Sequence, residues 1–476
     1  MSVAGRTIGG VVAAAVLLAG GYLWADVHDF VPGYLTIAPA PAPPVPFPII
    51  EVPTVNAELA AALPPIDTSK QRPTAAAVTK LVQEFARDQE VLGERVGVMV
   101  SDSLTGEVLA QVNAETRLVP ASVQKVMAGA AAMAVLDTNR TLKTKVLSGL
   151  DGSIFLVGEG DMLLAAQAGN PDVINGRAGL LDLAQATAAQ LEAAGIAQVQ
   201  LYLDDSLFTG PDTGPWGLDM VTDGYAAPVA TVAVDVGREQ EGNYAPRFRD
   251  PAMQAAQQFA ALLTQEGITV TQPTRKAFGQ PGEGVSVVGD QVLAQVESAP
   301  LGEIVDYAMK ISDNTLTEII GHTIARELGF PASFDGAIKG ILQTMGDLGL
   351  DTTGVSLVDA SGLGDTSYVT ARFINDLLNV MVSPEHPELR EGAIGLAIAG
   401  MDGTLSSRFQ DRNGRGLVRG KTGSLNNVTS LAGTVVTLDN RLLTFVVLTD
   451  ETPGGQAGPR QAMDTLVEQL AECGCQ

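Results

Sequence analysis

Apolar positions along the chain fall into three regimes. Residues 7–24 form an almost unbroken apolar run (Ile8, Val11, Val12, Val16, Leu17, Leu18, Leu23, Trp24) behind Arg6. A run of about 18 residues lies between a signal h-region and a membrane span, so residues 1–27 read as either a cleaved signal peptide or an uncleaved signal anchor. Both readings carry the rest of the chain out of the cytoplasm. Residues 28–73 lose all periodicity and gather Pro39, Pro41, Pro43, Pro44, Pro46 and Pro48, the composition of an extended linker without a core. From residue 74 the pattern is globular. Residues 75–92 read as an amphipathic helix, and 95–102 and 107–112 as strands around the turn Ser103-Leu104-Thr105-Gly106. Pro120 introduces a helical run, 122–136, rich in Ala and Met. Beyond Gly152 the chain reads as strand-rich and glycine-rich to about residue 290. Helices return at 301–329 and 334–349. Strands follow at 416–421, 427–438 and 441–448, the last two joined by a tight Asp439-Asn440 hairpin, and a helix closes the chain at 458–472.

Strands at both ends with helices between them predict an α+β domain, an α-β-α sandwich whose antiparallel sheet is flanked by helices. Its first part is 74–159 and its second 286–476, with 160–285 forming an inserted, strand-rich second domain.

Composition narrows the function. The 476 residues are 46% hydrophobic and 17% charged, enough for a sizeable core in two or three domains. A formal net charge of −25 repels nucleic acid. The only cysteines are Cys473 and Cys475, so no disulfide framework or Cys-rich metal site is encoded. The three histidines, His28, His322 and His386, have no paired spacing. No metal or cofactor is called for.

Three short segments carry chemistry. Ser122-Val123-Gln124-Lys125 places a hydroxyl and an amine one helical turn apart, at the positive end of the predicted helix. For Lys125 to act as a base its pKa must fall from about 10.4 towards 7–8, through burial or a second cation. Ser312-Asp313-Asn314 follows a helix expected to end near Lys310, with Ser312 suited to relay a proton and Asn314 to hold a substrate amide. Lys421-Thr422-Gly423-Ser424 lies on a predicted strand and offers a cation and two hydroxyls to a carboxylate; Gly423 removes a side chain where a substrate would approach. Each segment alone is also a common cap, turn or strand end.

Together, in this order, they resemble the signature of penicillin-binding proteins and class A β-lactamases. The long interval between Ser122 and Ser312 resembles that of the class C low-molecular-mass penicillin-binding proteins, the D-alanyl-D-alanine carboxypeptidase/endopeptidase (peptidase S13-like) family. So do Leu156-Val157-Gly158-Glu159-Gly160-Asp161, Asp204-Asp205-Ser206-Leu207-Phe208, Tyr225-Ala226-Ala227-Pro228-Val229 and Asp359-Ala360-Ser361-Gly362-Leu363. The resemblance spans about residues 75–472 and implies a penicillin-binding/β-lactamase transpeptidase-like fold acting on peptidoglycan stem peptides. It implies Ser122 as nucleophile, Lys125 as its base, Ser312 and Lys421 in proton transfer to the leaving D-Ala, and Asn314 on the acyl-side amide. It further implies Thr422 and Ser424 on the terminal carboxylate, the Ser122 and Ser424 amides as oxyanion hole, and Ser361, Gly362, Leu363 and Leu425 lining the cleft. β-Lactams are the implied covalent inhibitors, and the membrane a partner through an uncleaved N-terminal segment. Ser424 stands where the family commonly has Thr, and Ala360 where it has Gly. Three rivals share the scaffold: a β-lactamase, for which His386-Pro387-Glu388-Leu389-Arg390 puts His and Arg where Glu and Asn belong; a small-ester esterase; and a non-catalytic wall-binding protein.

Overall fold

The computed structural model describes residues 19–28, 30–31, 72–149, 152–278 and 292–472. It divides into a unit of residues 1–67 and a unit of residues 68–476. In the first, residues 19–27 are helical and the Trp24 ring lies 4.6 Å from that of His28. Among the described residues no helix is long and apolar enough to cross a membrane. Most of the expected signal or anchor and its linker, and both cysteines, lie outside the described residues.

The second unit opens with α1 (Ala75–Ala86), capped where the Thr74 hydroxyl accepts the Ala77 amide. Strands β1 (Arg95–Asp102) and β2 (Val108–Val112) follow, then a 3-10 turn (Ala121–Gln124) running into α2 (Lys125–Val135). Next come β3 (Thr141–Ser148), β4 (Ser153–Gly158), β5 (Asp161–Leu164), α3 (Leu180–Ala193), β6 (Gln198–Asp204) and β7 (Val232–Val234). They lead to α4 (Pro251–Gln265), β8 (Thr269–Val270), β9 (Thr274–Arg275) and β10 (Val292–Pro300). Helices α5 (Leu301–Ile311), α6 (Asn314–Glu327), α7 (Phe334–Asp347) and α8 (Ala371–Val382) precede β11 (Ala397–Ile398), β12 (Val418–Leu425), β13 (Val428–Val436), β14 (Leu442–Asp450) and α9 (Ala457–Glu472).

Strand alternation builds the main layer. The sheet runs β11-β12-β13-β14-β1-β2 and is antiparallel throughout, with β1 from the first part of the chain paired along its length to β14 from the last. Both faces are buried. Val98, Val100, Leu431, Phe445 and Val447 point to a core shared with α1 and α9. Met99, Ala432, Val446 and Leu448 point to the core around α2, α5, α6 and α8. The α-β-α sandwich expected from the pattern is the observed architecture.

The middle of the chain differs from expectation. Its sheet runs β10-β3-β4-β6-β8, so its strands begin at Thr141 and end at Pro300, outside the expected 160–285 at both ends. We propose 141–300 as the inserted layer. It also holds two long helices, α3 and α4, where strands were expected. The reason is topological: β4 pairs with β6, and β6 with β8, in parallel, and parallel neighbours need a crossover that helices supply.

A buried ion pair locks the main sheet at the β13–β14 hairpin. The Arg441 Nη2 donates to Asp102 Oδ1 at 2.9 Å, and Asp102 also accepts the Leu104 and Thr105 amides at 2.9 and 3.0 Å. These bonds and the Arg441 charge hold the Asp102 carboxyl below its ordinary pKa despite burial. Removing one partner strands a buried charge, so Arg441→Met is expected to cost about 3–5 kcal/mol in denaturant unfolding. The double variant with Asp102→Asn, which keeps the turn acceptor without the charge, is expected to recover part of that loss.

Candidate active site

The turn before α2 is strained. Ala121, a non-glycine residue, has φ 47°, which aims the next residue, Ser122, out of the helix end. Two neighbours hold it there. Ser430 Oγ on β13 donates to the Pro120 carbonyl at 2.6 Å. Gly362, at φ +73°, lies so close that an added Cβ would stand 2.1 Å from the Ala121 carbonyl oxygen. Helix α2 is buried on every side from Lys125 to Met133, as its near-uniform Ala/Met sequence requires.

Lys125 is 0% exposed. Its Nζ stands 2.9 Å from Ser122 Oγ, 2.6 Å from Asn314 Oδ1 and 2.7 Å from the Ser361 carbonyl. Two strong acceptors and one hydroxyl suit a neutral amine, which donates to the acceptors and takes the hydroxyl proton on its lone pair. Burial lowers its pKa to about 8, against the opposing pull of Asp359, Glu318 and Asp313.

Ser312 and Asp313 break the predicted 301–329 helix into α5 and α6. Ser312 adopts the left-handed conformation at φ 60°, and Asp313 caps α6 by accepting the Leu316 amide at 2.9 Å. The Ser312 hydroxyl meets Lys421 Nζ at 2.8 Å. Asn314 faces two ways: Oδ1 to Lys125, and Nδ2 to the Tyr225 carbonyl at 2.9 Å. It orients the lysine and ties α6 to the 225–227 segment.

On β12, Lys421 is 0% exposed, bonded to Ser312 Oγ and to the Thr422 carbonyl at 2.9 Å. Burial, and then the charge of Lys125, push its pKa well down. Thr422 Oγ1 donates to Thr404 Oγ1 at 2.9 Å, and Ser424 is exposed at the rim. β11 pairs only with Arg419 and Gly420, so the 421–425 edge is open beyond it. Gly423 serves a different purpose from the one expected. A Cβ there would meet Ser430 Oγ at 2.1 Å and the Pro120 carbonyl at 2.6 Å, so the missing side chain lets β12 close on the turn that precedes α2.

The 359–363 loop also departs from expectation. Ser361, Gly362 and Leu363 are buried and do not face an open cleft. Ser361 supplies its carbonyl to Lys125, Gly362 packs under Ala121, and Leu363 joins the inserted layer's core with Leu425 against it. Ala360 is accommodated because its methyl sits opposite Gly321 of α6.

Sequence reasoning missed Glu318 and named Asp359 only within the 359–363 segment, without a role. Glu318 accepts the Ala360 amide at 3.1 Å and the Ser361 amide at 2.8 Å, and burial beside Asp359 raises its pKa to about 8. Asp359 accepts the Gly362 and Gly364 amides, both at 2.7 Å, and burial raises its pKa. The available signal for Glu318 was its place four residues after Asn314 inside an apolar helix. The histidines stand apart. His322 Nδ1 donates to the Glu318 carbonyl at 2.8 Å, its ring lies between Phe208 and Phe334, and burial lowers its pKa to about 4. His386 is bonded to Glu388 at 3.1 Å, outside the lysine network.

Known proteins share this chain's pattern. The model of the D-Ala-D-Ala carboxypeptidase 3 (S13) family matches residues 78–244 and 239–473. A carboxypeptidase of Mycobacterium tuberculosis is 35% identical over 92% of this chain and 90% of its own. A D-alanyl-D-alanine carboxypeptidase of Actinomadura is 27% identical over 82% of this chain and 84% of its own. The crystal structure of penicillin-binding protein 4 from Haemophilus influenzae superposes with a TM-score of 0.66 at 22% identity, covering 83% of this chain and 99% of that one, and so shares the fold.

If the free Lys125 amine takes the Ser122 proton, the rate of Ser122 acylation should fall about tenfold per pH unit below about 8 and level off above it. Stopped-flow acylation between about pH 6 and 10 checks this, and a flat profile contradicts it.

Proposed function

The chain belongs to the D-Ala-D-Ala carboxypeptidase (S13) family, and we propose that it cleaves peptidoglycan stem peptides through an acyl-enzyme on Ser122. The observation that carries this reading is the Lys125 Nζ, fully buried and 2.9 Å from the Ser122 hydroxyl. An extended peptide ending in D-Ala-D-Ala lies along the open 421–425 edge. Ser122 Oγ attacks the carbonyl of the penultimate D-Ala as its proton passes to Lys125. The amides of Ser122 and Ser424 receive the oxyanion. Collapse of the tetrahedral intermediate breaks the C–N bond; Ser312, bonded to Lys421, passes its proton to the departing amine and is reprotonated with the proton that Lys125 took up, which leaves Lys125 neutral again. Water then attacks the acyl-enzyme, giving up its proton to Lys125, and the Ser122 hydroxyl is regenerated. Carboxypeptidase and endopeptidase action share these steps and differ only in the group attached to the scissile nitrogen.

β-Lactams acylate Ser122 by the same route, but their leaving amine stays tethered and shields the ester from water. Thr422 and Ser424 hold the substrate's terminal carboxylate, while Asn314 orients both Lys125 and the acyl-side amide. The substrate lies outside the cytoplasm, which fits the apolar N-terminal run as signal or anchor.

Intact-protein mass spectrometry should show one penicillin added to the wild type and none to Ser122→Ala, with D-Ala release falling by at least about a thousandfold. Full activity of Lys421→Ala on the best substrate would instead favour a simple esterase.

A further inference from the structure

The carboxylate clamp on β12 has a charge problem. Thr422 and Ser424 are neutral hydroxyls, and Lys421 is buried behind them, bonded to Ser312 and the Thr422 carbonyl. Burial and Lys125 together weaken the Lys421 charge. The whole chain carries a formal −25, so an anionic substrate meets a repulsive field unless a cation stands at the site.

One does. Arg460, exposed in the first turn of α9, donates from Nη2 to Ser424 Oγ at 3.5 Å and to Gln456 Oε1 at 3.1 Å. Among the described residues its guanidinium pairs with no carboxylate. Its position is fixed from the strand side, because Gln456 Nε2 donates to the Leu425 carbonyl at 2.7 Å. The first turn of α9 contains no acidic residue, so the positive end of a 16-residue helix adds to the same field. A guanidinium keeps its charge at any working pH and matches a carboxylate with two parallel N–H donors.

We propose that Arg460 binds the free carboxylate of the leaving residue, completing with Ser424 and Thr422 a clamp that selects against substrates whose carboxylate is amidated or esterified. This deepens the peptidase reading above and rests on it for the peptide substrate. Arg460 is thereby a selector for the free acid, a role that a merely structural arginine would lack.

The test uses the full chain as wild type, Arg460→Ala and Arg460→Lys, with an N-acylated peptide ending in D-Ala-D-Ala, its C-terminal carboxamide, benzylpenicillin and benzylpenicillin methyl ester. Arg460→Ala should lower kcat/KM for the free-acid peptide about tenfold to fiftyfold, change the carboxamide by less than about twofold, and leave the melting temperature in place. Arg460→Lys should retain part of the preference. The acid-over-ester preference in Ser122 acylation by penicillin should shrink in parallel. An unchanged acid-to-amide ratio, or an equal loss on both substrates, overturns the assignment while leaving the peptidase reading intact. A wild type that is acylated by penicillin but cleaves neither peptide overturns the peptidase reading instead, and the acid and ester pair still decides Arg460.

Discussion

The structure depends on taking a lysine amine out of water beside a serine. An ammonium in an apolar interior carries a desolvation cost of several kcal/mol, and the amine escapes it by releasing its proton. Lys125 sits in that position with a pKa of about 8, and the second fully buried lysine, Lys421, is pushed well down by its own burial and then by the charge of Lys125. Helix α2, buried on every side from Lys125 to Met133, supplies the dry environment.

Carboxylates check how far this goes. Asp359, Glu318 and Asp313 all pull the Lys125 pKa back up. Two of them are held by backbone amides of the 359–364 loop, so the charges that moderate the lysine also shape the loop whose Ser361 carbonyl orients it. The arrangement binds geometry and basicity together: moving the loop would alter both. The inserted layer joins the same network through Asn314 to the Tyr225 carbonyl and through Thr315 Oγ1, which accepts the Ala227 amide at 2.8 Å. The 225–227 segment is thereby tied to α6, the helix that carries Asn314 and Glu318.

The sequence alone determined the three segments, their order and the sandwich. Ser122, Lys125, Ser312, Asn314, Lys421 and Thr422 were legible because local rules govern them: a helical turn separates the first two, and a helix break and a strand carry the others. The main sheet was legible because its strands alternate with period two over both cores. Features set by distant parts of the chain required tertiary structure. The parallel pairing of β4, β6 and β8 decided that α3 and α4 exist as crossovers, a constraint no local window contains. Gly423 was legible as an empty place, but only the packing of Pro120 and Ser430 showed what fills it. Ser361 and Gly362 were expected at the cleft, and burial turned them inward. The roles of Glu318 and Asp359 arise from desolvation, which depends on atoms brought in from the whole fold. A sequence specifies which groups can ionise; only the folded surroundings decide whether water remains to support the charge.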